Sequence, residues 1–287
     1  MLLGCHLSIG KGFAGAIDAA EALGNSALQI FSHNASSWRM KPISEQAATA
    51  FRARYDASSV EHVVIHTMYL LNLASPDPVL FERSVAALEE EVKRASLLGI
   101  DRLVTHLGAH KGTGKTAGVA RISEALNRVI ASATFVAAPD LTLLLENTAG
   151  TGTTMGSSFT ELAAIIDGLS DAGQIGVCLD TCHAFTAGYE LRTPEGLAET
   201  LEALDRAVGL ERLRLVHLND SKYPLASRRD RHEHIGSGEI GEVGFSLIVN
   251  HPALRDLPFI LETPKEMDGQ PDADPINLER VRALRQG

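Results

Sequence analysis

The sequence predicts an α/β protein in which the whole chain, residues 1–287, forms a single (β/α)8 barrel. Two observations predict this fold. Short apolar runs alternate with longer amphipathic segments along the entire chain, and 287 residues suit one closed barrel. No linker or shift in composition divides the sequence into two parts. A doubly wound open sheet is the alternative that the same alternation leaves open.

Eight apolar runs are the predicted strands. Each run is apolar through its middle, as expected for parallel strands that are buried on both faces. Between them lie segments with apolar residues at helical spacing, of which the first has Gly24 as its stop and the last opens on Pro194. The predicted strands are residues 2–8, 27–32, 62–67, 102–108, 141–148, 175–183, 213–220 and 259–264, and the predicted helical segments are 13–24, 84–99, 119–133, 157–170 and 194–209.

The composition is that of a folded protein from a reducing, cytoplasmic compartment. Hydrophobic residues make up 45% of the chain and charged residues 22%, so extensive disorder is not expected. No apolar run approaches the roughly 20 residues that a membrane span needs, and the first residues, MLLGCHLSIGKG, do not resemble a secretion signal. The three cysteines, Cys5, Cys178 and Cys182, are an odd number and too few for a disulfide framework.

The net charge of the chain is −10, from 26 basic and 36 acidic residues. This balance argues against a protein that binds polyanions through a broad basic face. Nucleic-acid binding therefore has to rest on a local site. The eleven histidines are more informative, because several stand beside carboxylates in apolar surroundings.

Polar side chains gather at the carboxyl ends of the predicted strands. In a (β/α)8 barrel all of these ends converge on one mouth, where catalytic residues are found. A single histidine after an apolar run is usually hydrogen-bonded within the core or a loop, and we interpret His33, His62 and His251 in this way. The residues that gather at the predicted mouth are His66, His106, Glu146, Asp180, His183, His217, Asp230, His232 and Glu262.

A metal centre explains these residues better than a structural role does. Five histidines and four carboxylates would otherwise be buried together without a counter-charge, which is costly. Divalent metals remove that cost, and imidazole with carboxylate is the ligand mixture expected for zinc or a similar ion. Asp180 lies three residues before His183, and Asp230 lies two residues before His232, so neighbouring side chains can share a metal.

Such a centre would carry positive charge although the chain is acidic. Three divalent ions with four carboxylate ligands leave about +2, which can hold a phosphodiester. Paired metals also lower the pKa of a shared water and stabilise both oxygens of an in-line displacement, so no serine or cysteine nucleophile is needed. Cys182 lies inside the cluster without a CxxC pattern and is interpreted as a buried structural thiol.

Two other functions fit parts of the pattern. Residues 109–116, AHKGTGKT, satisfy a relaxed Walker A motif between a predicted strand and a predicted helix, although the glycines can equally make a flexible loop. A metal-dependent sugar isomerase or epimerase would also gather histidines and carboxylates at strand ends. Such enzymes need one or two metals, which leaves His183, Asp230 and His232 without a role.

Longer segments around these side chains resemble the endonuclease IV family of DNA-repair enzymes. The resemblance extends from GCHLS at residue 4 to the predicted strand that ends at residue 263, almost the whole chain. Segments of this length are specific to the family. They are IHTMYLLNL, THLGAH, LENTAGTG, CLDTCHAFTAGY, HLNDSK, DRHEHIGSGEIG and LETP.

The resemblance implies a centre of three zinc ions and hydrolysis of the phosphodiester 5′ to an abasic site. The products would be a 3′-hydroxyl and a 5′-deoxyribose phosphate, and the family also trims blocked 3′ ends. Glu146 and Glu262 are the residues expected to be catalytic. The implied ligand sets are His66, His106 and Glu146 for the first zinc, Glu146, Asp180, His217 and Glu262 for the second, and His183, Asp230 and His232 for the third.

The implied partner is double-stranded DNA with abasic or 3′-blocked damage, which a monomer can bind, and no membrane is involved. Recognition would rest on bending and on flipping of the damaged nucleotide, since an abasic site has no base edge to read. Tyr69 and Leu70 are expected to fill the vacated stack, although both can instead pack in the core. The other expected DNA contacts are Trp38 and Arg39, in the loop after the second strand, and Arg228, Arg229 and Arg231, for which a packed tryptophan and a solvated loop are the alternatives.

The sequence departs from the family pattern in two loops. Ala35, Ser36 and Ser37 stand before the tryptophan, where the family commonly has a basic residue that enters the damaged site. Leu107 and Ala109 stand where the family usually has proline and serine. These differences concern contacts to DNA and leave the metal ligands unchanged.

Overall fold

The computed structural model describes residues 1–267, 269 and 271–286, and its eight longest strands close into a parallel barrel. The first strand pairs on one side with the second and on the other side with the last, which excludes the open doubly wound sheet. The predicted barrel is therefore confirmed. In barrel order the strands are β1 (Leu3–His6), β2 (Ala27–Phe31), β3 (His62–His66), β4 (Arg102–Thr105), β5 (Thr142–Glu146), β6 (Ile175–Asp180), β7 (Leu213–His217) and β10 (Phe259–Leu261).

Every predicted strand contains an observed strand, but the observed strands end earlier. The predicted run 175–183 ends as a strand at Asp180, because the Asp180 carboxylate accepts a hydrogen bond from the backbone N–H of His183 at 2.7 Å and caps a helix there. Asp220, placed at the end of the seventh strand, belongs instead to a two-residue strand. The ends of these two predicted strands form a helix cap and a loop, because their backbone groups bond to side chains rather than to a neighbouring strand of the barrel. The additional strands are β8 (Asp220–Ser221) and β9 (His232–Glu233), which pair antiparallel.

Helices surround the barrel, and each of the five predicted segments overlaps one. Two of these helices begin earlier than predicted, at Pro78 and at Lys115, and the first of them starts there because Asp77 accepts hydrogen bonds from the backbone N–H groups of Val79 and Leu80. Three further barrel helices, α2, α9 and α10, were not located from the sequence. The helices are α1 (Phe13–Ala22), α2 (Glu45–Asp56), α3 (Pro78–Leu98), α4 (Lys115–Ile130), α5 (Ala133–Val136), α6 (Phe159–Asp167), α7 (Thr181–Ala187), α8 (Pro194–Val208), α9 (Gly241–Asn250) and α10 (Asp274–Leu284).

The core consists of an outer layer between strands and helices and a smaller layer inside the barrel. The inner layer takes one buried apolar residue from each of seven strands, and β1 contributes Gly4 at the same level. A Cβ atom on Gly4 would lie 1.6 Å from the carbonyl oxygen of Ala27, so only glycine fits between β1 and β2. The inner layer consists of Ala27, Val64, Val104, Leu144, Cys178, Leu215 and Ile260.

The described residues include no helix with the length and apolar character to span a membrane.

Candidate metal centre

One polar side chain from each strand lines the mouth of the barrel. Side chains alternate along a strand, so the residue two positions after each member of the inner layer points into the mouth. Gly4 leads in this way to His6 and Ala27 to Gln29, and the other six members lead to predicted site residues. The mouth ring consists of His6, Gln29, His66, His106, Glu146, Asp180, His217 and Glu262.

Within this mouth the structure brings together a first group of three potential ligands. A carboxylate oxygen of Glu146 lies 3.0 Å from Nε2 of His66 and 3.5 Å from Nδ1 of His106. All three ligand atoms lie within 4.8 Å of one another. Because His66 and Glu146 are buried, the group can hold an ion away from most of the solvent.

A second group shares the same glutamate. The Nδ1 atom of His217 lies 3.1 Å from Glu146, 3.3 Å from Glu262 and 4.0 Å from Asp180. The four side chains offer one nitrogen and three carboxylates within 4.8 Å, and Glu146 belongs to both groups. A carboxylate that faces two groups has the arrangement of a bridging ligand.

The third group forms around the loop before β9. The Nε2 atom of His183 lies 3.2 Å from Asp230, and Nε2 of His232 lies 3.8 Å from the other oxygen of Asp230. The same atom of His232 lies 3.6 Å from Asp180, so this group adjoins the second one. Asp230 is the exposed member, with 52% of its side chain accessible.

The loop that carries the third group is held by a buried carboxylate. Asp220 accepts hydrogen bonds from the backbone N–H groups of Gly236 and Gly238, each at 2.9 Å, and of Ile240 at 3.0 Å. A Cβ atom on Gly238 would lie 2.4 Å from a backbone oxygen, so this close approach needs glycine. The β8–β9 ladder then places His232 beside the mouth ring.

The ring nitrogens of the histidines are the observation that points to metal ions. His183 and His232 each bond through Nδ1, to the carbonyl oxygens of Asn147 and Glu262 at 3.0 Å. Their buried Nε2 atoms have no hydrogen-bond partner in the described part of the chain, although they face carboxylates. One ring nitrogen bonded to a carbonyl and the other free beside carboxylates is the usual state of a metal-ligating histidine. The residues therefore fit bound divalent ions.

The charges of the groups are strongly coupled. Burial raises the pKa of Glu146, but the neighbouring imidazoles, His106 and His217 first, outweigh burial and hold its pKa well below the ordinary value. The same balance lowers the pKa of Glu262 to about 2. Burial lowers the pKa of His183, yet the surrounding carboxylates, Asp180 first, raise it well above the ordinary value. Glu146 and Glu262 are thus ionised, which is the state that binds a cation.

Cys182 and Asn219 also reach this centre. Burial raises the pKa of Cys182 to about 12, so the side chain is a thiol, as the structural interpretation of this cysteine requires. Its sulfur lies near ligand atoms of Asp180 and His232. Asn219 donates to the carboxylate of Asp180 at 2.7 Å and accepts from the backbone N–H of Glu262 at 2.7 Å, and thereby orients the first side chain and holds the backbone of the second residue.

Sequence reasoning missed two members of the mouth ring, His6 and Gln29, as well as Asn219. The signal that could have found the first two is their register, because each stands two residues after a member of the inner layer. The apolar run of β1 contains His6 near its end, where it is read as an ordinary polar residue. Asn219 has no such signal, since it lies beyond β7 in the loop.

Of the residues expected to contact DNA, Tyr69, Leu70, Arg229 and Arg231 line a cavity at the rim of the mouth. Tyr69 is 63% exposed and its ring packs edge-on to Phe31 at 5.1 Å. Leu70 and Trp38 pack against a small apolar cluster, and the guanidinium of Arg83 lies 4.4 Å from the ring of Trp38. Exposed positions with side chains at the surface are Arg39, Arg228, Arg229 and Arg231.

A cavity of about 760 Å³ connects these rim residues with the metal groups. Tyr69, Leu70, His106, Arg229 and Arg231 are among the residues that line it. The guanidinium of Arg229 lies 4.7 Å from the ring of Tyr223. The cavity therefore brings exposed aromatic and basic side chains next to the metal groups.

The glycine-rich segment 109–116 is not built as a phosphate-binding loop. The backbone N–H groups of Gly112 and Gly114 donate to Nδ1 of His110 at 3.2 and 3.0 Å, so they are engaged within the loop. The Lys115 ammonium pairs with Glu161 rather than facing the loop. The flexible-loop interpretation of this motif fits these contacts, and the Walker A alternative does not.

The histidines assigned to the core or to loops are hydrogen-bonded as expected. His33 bonds to Glu91 at 2.9 Å, His62 to Arg102 at 2.9 Å, and His251 accepts from the backbone N–H of Ala253 at 3.2 Å. These three side chains lie outside the metal groups that the structure shows among its described residues.

Comparison with known proteins gives consistent matches over the chain. The model of a family described as xylose isomerase-like TIM barrel matches residues 17–286. A protein of Halothermothrix orenii named probable endonuclease 4 is 47% identical over 98% of this chain and 99% of its own length. The crystal structure of endonuclease IV from Thermus thermophilus superposes with a TM-score of 0.86 and 42% identity, covering 99% of this chain and 98% of that chain. A D-tagatose 3-epimerase-like protein, 18% identical with a TM-score of 0.72 over 99% of this chain and 98% of its own, shares the fold alone.

Proposed function

The chain belongs to the endonuclease IV family of xylose isomerase-like TIM barrels, and on that premise we propose that it is a zinc-dependent endonuclease of DNA base-excision repair. It acts as one domain and hydrolyses the phosphodiester on the 5′ side of an abasic site in double-stranded DNA. The products are a 3′-hydroxyl and a 5′-deoxyribose phosphate, and blocked 3′ ends are trimmed at the same site.

The observation that carries this proposal is the set of three adjoining ligand groups in one mouth. Nine side chains supply five imidazoles and four carboxylates, which is the ligand chemistry of zinc. A metal-dependent sugar epimerase on the same fold uses one or two metals, which leaves the third group without a role. The proposed first zinc lies at His66, His106 and Glu146, the second at Glu146, Asp180, His217 and Glu262, and the third at His183, Asp230 and His232.

The proposed chemistry divides between the bound zinc and the side chains. Zinc held at these groups lowers the pKa of a water molecule and stabilises the oxygens of an in-line displacement. Glu146 and Glu262 are the catalytic carboxylates in this proposal. Glu146 belongs to the first and the second ligand group, and Glu262 belongs to the second. Asn219 and Asn147 keep Asp180 in place by hydrogen bonds at 2.7 Å to its carboxylate and to its backbone N–H.

The proposed DNA contacts follow from the rim. The exposed ring of Tyr69 can enter a base stack from which the damaged nucleotide has been flipped, and Leu70 supports it from the apolar cluster beneath. Arg229 and Arg231 line the same cavity of about 760 Å³ and contact phosphates of the DNA strand in this proposal. In the same proposal Arg39 and Arg228 contact phosphates outside the cavity, and Trp38 shapes the loop that carries Arg39.

Cleavage of a duplex oligonucleotide that contains one abasic analogue tests the proposal. A single cut on the 5′ side of the lesion, lost after treatment with a strong chelator and restored by zinc, is the expected result. A folded protein loaded with zinc that leaves the duplex intact would overturn the proposal. Turnover of a keto-sugar by the same sample would then assign the chain to the epimerases.

A further inference from the structure

The side-chain amide of Gln29 uses all of its hydrogen-bonding groups inside the mouth ring. Its nitrogen lies 2.6 Å from a carboxylate oxygen of Glu262 and 3.1 Å from Nδ1 of His6. Its oxygen lies 2.8 Å from Nε2 of His217. Gln29 is fully buried on β2, so no water competes for these three bonds.

The orientation of this amide follows from the chemistry of its neighbours. A carboxylate only accepts hydrogen bonds, so the nitrogen of Gln29 must face Glu262. The oxygen then faces His217, whose Nε2 must carry the hydrogen that this oxygen accepts. In a neutral His217, the form that binds a metal, the opposite ring nitrogen Nδ1 then has its lone pair toward Glu146 and Glu262, where the second metal group lies.

The second amide hydrogen of Gln29 determines the state of His6 in the same way. It points to Nδ1 of His6, which must therefore accept, so a neutral imidazole carries its hydrogen on Nε2. Nε2 of His6 makes no hydrogen bond within residues 1–267, 269 and 271–286. His6 lines a cavity of about 320 Å³ together with His66, Glu146 and Glu262, so this donor faces the site of the proposed reaction.

The wall around His6 holds a second uncommitted polar group. The buried hydroxyl of Thr263, which is 3% exposed, has no partner among the described residues and lines the same cavity. The neighbouring cation, Lys265, is already committed, because its ammonium bonds to the backbone oxygen of His6 at 2.7 Å and to Asp274 at 2.7 and 2.9 Å. The positive charge of Lys265 at this wall is therefore paired with Asp274, and the uncommitted polar groups are the neutral ones of His6 and Thr263.

We propose that Gln29 is a positioning residue that sets the tautomers of two histidines, so that His217 presents Nδ1 to a metal and His6 presents an Nε2–H donor to a phosphate oxygen of the substrate. The assignment of the anion rests on the proposed function, whereas the two tautomers rest on the hydrogen bonds of Gln29 alone. The ligand class for the His6 wall is a phosphodiester or inorganic phosphate.

The tautomers are measured directly on the zinc-loaded protein by long-range proton–nitrogen NMR of labelled histidines. We expect the hydrogen of both His6 and His217 on Nε2. A hydrogen on Nδ1 of either ring would overturn the proposal. This measurement needs no variant and no DNA, so it stands even if abasic DNA is not cleaved.

The positioning role of Gln29 is tested by zinc retention in Gln29→Met, which removes all three hydrogen bonds at similar volume. Loss of such an outer ligand contact typically weakens metal binding by about 10- to 100-fold, and we expect one of the zinc ions to transfer to a chelator faster by this factor. Gln29→Glu, which keeps the oxygen for His217 but repels Glu262, should lose zinc as well. Zinc retention equal to the wild type in a folded Gln29→Met protein would refute the role.

The matched control for this variant is Gln174→Met. Gln174 lies just before β6, at the opposite end of the barrel, and donates to the backbone oxygens of Ala138 and Leu141 at 2.9 and 2.7 Å. It therefore loses comparable hydrogen bonds far from the metal groups. Its zinc retention should equal that of the wild type, and an equal loss in both variants would show that zinc reports only on general stability and would overturn the proposal.

The role of His6 is tested by two replacements that separate its ring nitrogens. Asparagine keeps an acceptor near the position of Nδ1 but has no donor at Nε2, whereas glutamine places an amide donor near Nε2. We expect His6→Asn to weaken binding of inorganic phosphate and to raise the KM for an abasic duplex by about tenfold, with unchanged zinc content. His6→Gln should recover both to within about threefold of the wild type.

His251→Asn, a change in a loop outside the mouth, is the control for these variants. Unchanged phosphate binding in His6→Asn would overturn the donor role of His6. Failure of the wild type to cut abasic DNA, with phosphate binding that still depends on His6, would overturn the proposed function and leave the phosphate site in place.

Discussion

Two of the buried polar clusters among the described residues differ in how their charges are matched. The first is the candidate metal centre at the mouth, called the metal centre below. The second, which we call the α3 cluster, consists of Ser32, His33, Glu91 and Arg94. Glu91 accepts from Ser32 at 2.6 Å and from His33 at 2.9 Å, and Arg94 donates to the hydroxyl of Ser32 at 2.7 Å and to the backbone oxygen of Lys41 at 2.8 Å.

The α3 cluster contains the guanidinium of Arg94 as a permanent cation, whereas the mouth has imidazoles in that place. Glu91 and Arg94 are 0% and 3% exposed, and the guanidinium and the carboxylate are linked through one serine hydroxyl. At the mouth, the four carboxylates lie beside imidazoles, of which His183 and His232 keep buried ring nitrogens without hydrogen-bond partners among the described residues. Burial of charge is common to both clusters. An imidazole can lose its proton and bind a cation, which a guanidinium cannot do, so the mouth fits a site for cations and the α3 cluster is an anchor for the loop that carries Trp38 and Arg39.

Replacement of the shared carboxylate at the mouth should have the largest effect on activity. Glu146→Gln removes the side chain that faces two metal groups, and we expect cleavage of an abasic duplex to fall by at least about a hundredfold, with less zinc bound per chain. The fold should be retained, because the histidines can be neutral without it. Circular dichroism, zinc analysis and single-turnover cleavage measure these three quantities.

The control for this variant is Glu161→Gln. Glu161 is also a buried carboxylate, but it pairs with Lys115 and accepts from the backbone N–H of Gly156 at 2.8 Å, away from the metal groups. It should keep zinc and activity. Near-normal cleavage by Glu146→Gln would contradict the assignment of Glu146 as a bridging ligand.

Replacement of the carboxylate in the α3 cluster should lower the stability of the fold and leave zinc binding unchanged. Glu91→Gln leaves the charge of Arg94 buried without its counter-charge, and we expect the free energy of unfolding to fall by about 3–5 kcal/mol. Zinc content of the folded fraction should not change. Urea unfolding of the zinc-loaded protein measures the first quantity, and metal analysis of the same sample measures the second.

Glu82→Gln, on the same helix, is the matched control. Glu82 pairs with Arg128 on the surface, where an ion pair contributes about 0–1 kcal/mol, so the variant should unfold nearly as the wild type does. Loss of zinc without loss of stability in Glu91→Gln would contradict the division between the two clusters.

The contribution of the metal centre to the stability of the fold should change with pH in opposite directions with and without zinc. Burial lowers the pKa of His183 and of His217 in the folded, zinc-free protein, but neighbouring acidic groups outweigh burial and raise both pKa values, Asp180 first for His183 and Cys178, then Glu262 and Glu146, for His217. A raised folded pKa adds stability below the unfolded value of about 6.5, and this stability is lost as the pH rises through the folded pKa. Zinc requires neutral imidazole, so its stabilisation should grow over the same range. The measurement is the thermal unfolding midpoint between about pH 6 and 9, once with chelator and once with zinc. The same pH dependence of the midpoint in both samples would contradict the prediction.

The smallest expected effect concerns the rim. Tyr69→Ala removes an exposed ring whose centroid lies 5.1 Å from that of Phe31 and 6.5 Å from that of His66. We expect weaker binding of an abasic duplex by about tenfold, as for the loss of one stacking contact of roughly 1–2 kcal/mol, with kcat changed little. Fluorescence anisotropy and steady-state cleavage separate the two. A fall in kcat without a change in binding would instead assign Tyr69 to the chemistry.

The barrel and the proposed ligands are predictable from the sequence for the same reason. Parallel strands that are buried on both faces appear in the sequence as continuous apolar runs. A polar residue at the carboxyl end of such a run lies at the mouth of the barrel. His66, Glu146 and His217 stand at the ends of their strands in this way. The helices α2 and α10 were harder to locate, since short buried stripes such as Ala48 and Phe51 give a weak periodic signal.

The sequence by itself determined the fold class, the convergence of strand ends on one mouth and the chemical types of the proposed ligands. These features depend on local patterns, namely the spacing of apolar residues in strands and in helices and the polar residue at the end of each strand. Only the tertiary structure decided which ligands share a group, how Gln29 joins His6 to His217, and which charged cluster carries its own cation. Those features depend on contacts between residues such as Gln29 and Glu262, which are 233 positions apart in the chain and meet only because the barrel closes between β1 and β10.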